Sequence, residues 1–195
     1  MMFEQNPAAA ASWTLIALIV QLAAGVCMEA VGHTAGFVLL LVCWLLNAYA
    51  ACRLRSPAPL AASIAGAVFA ALCLGGLSAG WVGSMLSNLL FLLFYLPLQN
   101  RFDRALAAAD VSKGTRMIGR MWSYATLVQR GASMLGFAPL FAGQDVLSAQ
   151  QGSYTPLFTL QLALEVIALI AAVLSYIWMV RYLWRVRGLL KEEAS

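Results

Sequence analysis

Residues 121–142 read MWSYATLVQRGASMLGFAPLFA, and whether this stretch crosses a membrane decides the fold. Its length suffices. A bilayer's hydrocarbon core is about 30 Å thick and a helix rises about 1.5 Å per residue, so roughly 20 residues span it. Its composition argues the other way, because Ser123, Thr126, Gln129, Arg130, Ser133 and Pro139 interrupt the apolar run.

The surrounding chain leaves no doubt about the solvent. Of its residues 63% are hydrophobic and 10% charged, against roughly 45–50% and 25% in a soluble domain. The mean hydropathy is +0.83. These values exclude an ordinary soluble domain, a disordered chain and a disulfide-stapled module. Four apolar runs precede the deciding segment, at 13–31, 35–52, 60–79 and 81–98, and one follows, at 156–180. Breaks fall at Gly32-His33-Thr34, at the proline- and arginine-bearing stretch 53–59, and at 97–101, where Pro97 is expected to close the fourth run. Segment 100–120 is polar, with an Ala-rich surface helix expected over 102–109. An outer loop is expected over 143–155, with Pro156 as first residue of the last helix. Residues 1–12 read as a short retained tail, since they lack the basic start of a signal peptide. Residues 181–195 mix aromatics and bases, as suits a tail emerging through lipid headgroups.

Charge decides the count. With a cytoplasmic N-terminus and six crossings, Arg53, Arg55, Arg101, Arg104, Lys113, Arg116, Arg120, Arg181, Arg185, Arg187 and Lys191 all face inward, which is eleven of the twelve basic residues. The positive-inside rule is then obeyed throughout. A surface helix at 121–142 would send the C-terminal cluster outside; a re-entrant segment is the main rival. The expected fold class is all-α: one integral domain, 1–195, with six spans and both termini in the cytoplasm, in a bacterial inner membrane. Topology also accounts for the net charge of +4, so no nucleic-acid partner is implied. The partners expected are membrane lipid and either further copies of the chain or other membrane subunits.

The polar groups inside the spans need a reason, because a charge at the bilayer centre costs roughly 2.5–3.5 kcal/mol on insertion scales. Arg130 follows Arg120 by ten residues and Glu165 follows Pro156 by nine. On antiparallel neighbouring helices both reach similar depth, so the sequence predicts an ion pair, either as bundle glue or as a gate on a proton or ion path. Gln21, Glu29, His33 and Gln161 form a secondary polar set, and Asn47 and Asn88 add single amides. Small residues suggest close helix packing at Gly66, with Ala62 and Ala70, and at the G-x-x-x-G of Gly76 and Gly80. Arg101, Arg104, Lys113, Arg116 and Arg120 offer a cytoplasmic docking surface.

Cys27, Cys43, Cys52 and Cys73 form no C-x-x-C pair and read as reduced, buried side chains. With one histidine and no nucleotide, zinc-protease or nucleophile-elbow motif, no cofactor or metal is expected. Asp103 and Asp110 share one helix face, which admits a lipid-modifying enzyme, although a solvated face explains them as well. The leading reading is a non-enzymatic subunit, scaffold or sensor of a membrane complex. A small channel or proton-coupled transporter centred on Arg130 and Glu165 comes second, and the lipid enzyme third.

Overall fold

The computed structural model describes residues 6–77, 80–108, 113–136 and 156–192. Among them are six helices and no strand: α1 (Pro7–Ala30), α2 (His33–Arg53), α3 (Pro57–Leu74), α4 (Gly80–Ala108), α5 (Lys113–Leu135) and α6 (Pro156–Glu192). All but α5 are long and apolar enough to cross a membrane.

Local chemistry sets several boundaries. At the start of α1 the Asn6 side chain accepts from the Ala9 N–H at 2.8 Å, and Pro7 fills the first helical position. Gly32, at φ 132°, makes the turn into α2. Four helices outrun their expected bounds: α1 and α5 begin early, at Pro7 and Lys113, where a tail and a polar segment were expected, and α4 and α6 end late. Pro97 lies inside α4, which continues to Ala108. Leu98, Phe102 and Leu106 follow one another at helical spacing and are fully buried, so packing outweighs the hydrogen bond that the proline removes. The expected surface helix at 102–109 is therefore the packed end of α4. Likewise α6 runs unbroken through the expected tail, because Tyr182, Leu183, Val186 and Leu190 all enter the core.

Each helix packs on its neighbours in chain order, and α6 returns to pack on α1, closing a ring. Aromatic rings of α4 fill its middle. Trp44 of α2 stacks on Phe91 at 4.4 Å and meets Phe94 edge-on at 6.2 Å; Tyr95 meets Trp122 of α5 at 5.7 Å. Gly66 of α3 makes room for this, since a Cβ there would enter the Trp44 indole. Gly76 and Gly80 serve otherwise. They have positive φ, 97° and 50°, at the α3–α4 connection, and no neighbour lies within 4 Å of where their Cβ atoms would be. They shape the connection and are not a packing face within the chain.

The helix ends bearing Pro7, Arg53, Ala108, Lys113 and Glu192 lie together; we term this the basic end. The largest fully buried side chains all belong to that half, among them Trp44, Trp122, Tyr182, Phe94 and Phe102. The far half buries mainly small residues such as Ala24, Ala70, Ala132 and Ala168. On the outside, exposed Ile, Leu and Val recur along α1, α2, α3, α4 and α6, an apolar belt that water would not tolerate at this density.

Candidate functional site

From Ser123 onward the polar residues of α5 turn inward, and neighbouring helices answer three of them. Ser123 Oγ donates to Gln99 Oε1 of α4. The hydroxyls of Thr126 and Ser175 of α6 share a hydrogen bond of 2.8 Å. Arg130 Nη1 donates to Asn88 Oδ1 of α4 at 2.7 Å, and the guanidinium lies 4.7 Å from the centre of the Phe91 ring. The opposite side of α5 exposes Tyr124, Leu127, Val128 and Leu135. Such a helix is apolar outside and polar inside.

Arg130 and Glu165 do not meet. Arg130 bonds Asn88, while Glu165 accepts from Gln161 of its own helix at 3.1 Å and is exposed. The helix register gives the reason. Thr126 lies opposite Ser175, so Arg130 is level with Ala171, and Glu165, six residues on, is about 9 Å further toward the far end. Ten residues from Ser175 at about 100° each also turn Glu165 about 80° away from the face that meets α5. Among the described residues no carboxylate meets Arg130, and its Nε is shut off from solvent with no hydrogen-bond partner.

The secondary polar set disperses as well. Gln21 accepts from the Tyr95 hydroxyl at 2.8 Å, tying α1 to α4, whereas Glu29 and His33 are exposed beside the α1–α2 turn. Gln161 holds Glu165.

Two cavities flank Asn88 in the far half. One, about 310 Å³, has Arg130, Asn88, Ser84 and Ser87 on one side and Met28, Phe37, Leu40 and Phe69 on the other. The second, about 450 Å³, includes Gln129, Ser133, Gln161 and Glu165. Asn88 lines both, so the cation and the carboxylate face different spaces across one amide.

A second polar cluster stands at the basic end, past Leu98 of α4 and Val180 of α6. Asp103 accepts from the Tyr182 hydroxyl at 2.6 Å and from Gln99 Nε2 at 2.9 Å. Burial pushes the Asp103 carboxyl above its ordinary value; these hydrogen bonds and the nearby Arg120 and Arg116 oppose the shift. Burial and the Asp103 carboxylate together push the Tyr182 hydroxyl up. Gly119 admits the Tyr182 ring, since a Cβ there would lie 2.7 Å from it. Both carboxylate oxygens of Asp103 are thus engaged, Oδ1 with Tyr182 of α6 and Oδ2 with Gln99 of α4 itself, and Asp110 lies outside the described residues. Of the basic residues, Arg104 and Arg120 are exposed and Arg101 and Arg116 half-buried; the Lys113 side chain lies outside the description. No group of three or more His, Cys, Asp or Glu able to hold a metal occurs among the described residues.

Sequence reasoning noted Asn88 only as a lone amide and missed Tyr95, Gln99, Ser175 and Tyr182 as partners. Their signal was present: each falls on a helix side that also carries core residues. No protein family matches the chain, and neither does any curated protein or solved structure.

Proposed function

We propose that this chain is a six-span integral protein of a bacterial inner membrane, with both termini in the cytoplasm, and that it acts as a non-enzymatic subunit, scaffold or sensor of a membrane complex. The inside-out character of α5 is the observation that carries this reading. A helix lying on the membrane surface would keep its polar side toward water. In α5, Ser123, Thr126 and Arg130 face protein, whereas Tyr124, Leu127, Val128 and Leu135 are exposed. It also runs antiparallel beside α6 from Gly119 opposite Tyr182 to Gly136 near Glu165. Strict charge bias and compact loops favour the bacterial inner membrane.

The basic end supplies the docking role. The last turns of α4 and α6 are fastened together by Asp103 and Tyr182, and the arginines Arg104 and Arg120 project from the α4 and α5 ends of this rigid platform. A membrane partner or a second copy of the chain would find a fixed, cationic surface there. Cysteine labelling in membrane vesicles tests the threading: positions 145 and 191 should react from opposite sides. Residue-specific cross-linking at 104 and 120 tests the docking. A defined adduct lost in the Arg104→Glu, Arg120→Glu double variant supports it, and the absence of any adduct rejects it.

Transport is the second reading, favoured by one observation: Asn88 lines both the cavity holding Arg130 and the one holding Glu165. A transporter requires Glu165→Gln to insert normally and lose flux in reconstituted vesicles. The engagement of both Asp103 oxygens weighs against the lipid-enzyme reading. Full activity toward lipid in the Asp103→Ala, Asp110→Ala double variant would remove it.

A further inference from the structure

We infer that the smaller far-half cavity binds a compact apolar monocarboxylate, with Arg130 as its counter-charge. A guanidinium carries five N–H donors in a rigid fork suited to a two-oxygen acid. In Arg130 one donor is met by Asn88 at 2.7 Å, Nε has no partner, and a ring face lies 4.7 Å away. None of these contacts neutralises the charge. The carboxylate closest in sequence logic, Glu165, is bonded to Gln161 and lines the other cavity. An acid entering from outside the chain would therefore supply the counter-charge that no described residue gives.

The cavity walls define the rest of the ligand. Arg130, Asn88 and Ser87 form a polar side; Phe37, Phe69 and Met28 form an apolar one. Inorganic anions gain nothing from the apolar wall, and neutral hydrocarbons gain nothing from the guanidinium. The size is set by the volume of about 310 Å³. At about 30 Å³ per water molecule that is room for about ten heavy atoms. Octanoate and benzoate fit this size. The acid arrives either as a short chain released from lipid or as an aromatic solute from water.

Equilibrium dialysis of the full chain in dodecyl maltoside, using radiolabelled octanoate and benzoate, tests the inference. Saturable binding of at least one acid is expected, near one per chain, with octanamide and benzamide competing at least tenfold more weakly than the acids. Octanoate alone points to the lipid source, benzoate alone to the aqueous one, and either supports the site. Arg130→Gln should weaken binding tenfold or more. Ser87→Phe, which fills the cavity and leaves the charge in place, should do the same, and it stands as the test if Arg130→Gln fails to fold. The inference is overturned by unsaturable uptake, by amides competing as well as acids, by chloride displacing the label at equal concentration, or by parent-like binding in the folded variants.

Discussion

The two halves of this bundle are built by different rules. In the basic half, Trp44, Phe94, Phe102, Trp122 and Tyr182 interlock, and Gly66 and Gly119 are small because rings press on them. In the far half, the buried residues are mainly small and two cavities remain; Asn88 lines both, and Arg130 lines the smaller beside Met28, Phe37, Leu40 and Phe69. Lipid provides little hydrophobic drive between helices, so shape fit and interhelical hydrogen bonds must hold the ring. The basic half has both. The far half keeps space, and it keeps it beside Arg130, whose charge no carboxylate among the described residues meets.

Mutations can break this contrast, and thermal unfolding in detergent, followed by tryptophan fluorescence or light scattering, measures them. Trp44→Ala should cost about 3–5 kcal/mol, as for a fully buried large ring, while Phe37→Ala, beside the cavity, should cost less than half as much. Equal losses would mean that the far half is as tightly packed as the other. Gly66→Leu drives a branched side chain into the Trp44 indole and should cost about 1–3 kcal/mol. Asn88→Leu removes the acceptor for Arg130 and should also cost about 1–3 kcal/mol, whereas Glu165→Gln should stay within about 0.5 kcal/mol. A large loss in Glu165→Gln would restore a direct ion pair and overturn the register derived from Thr126 and Ser175.

The smallest effect concerns pH at the basic end. The Asp103 carboxyl is raised in the folded chain, chiefly by burial, against the opposing influence of Tyr182, Gln99, Arg120 and Arg116. Folding then favours its protonated form. The stability it contributes is full below the unfolded carboxyl value and is lost as pH rises through the folded one. The unfolding midpoint of the parent should fall with pH across that acid window more steeply than that of Asp103→Asn. Identical slopes would show that burial does not reach this carboxyl.

Much of the helical content was legible in the sequence, because apolar runs of spanning length have few alternatives. The failures are instructive. Pro97 and Arg101 look like a stop, yet Leu98, Phe102 and Leu106 carry a period that tertiary packing completes. Matching Arg130 with Glu165 used depth alone, estimated from span ends. Depth says nothing of rotation about the helix axis, and the estimate of level was itself off by about six residues' rise, roughly 9 Å. The polar side of α5 was visible in the spacing of Ser123, Thr126 and Arg130. Which neighbour would answer each residue was not, since helix order around a ring is a property of the whole assembly.

The closure of α6 on α1 has a consequence for synthesis. The ribosome delivers α1 well before α6, and α2 can pair with α1 immediately, but the other neighbour of α1 emerges only after α5. A nascent chain halted after α5 would have its early hairpins in the membrane and an open flank along α1. Closure of the ring therefore waits for α6, whose Leu190 then lines one pocket with Pro7 and Ala8.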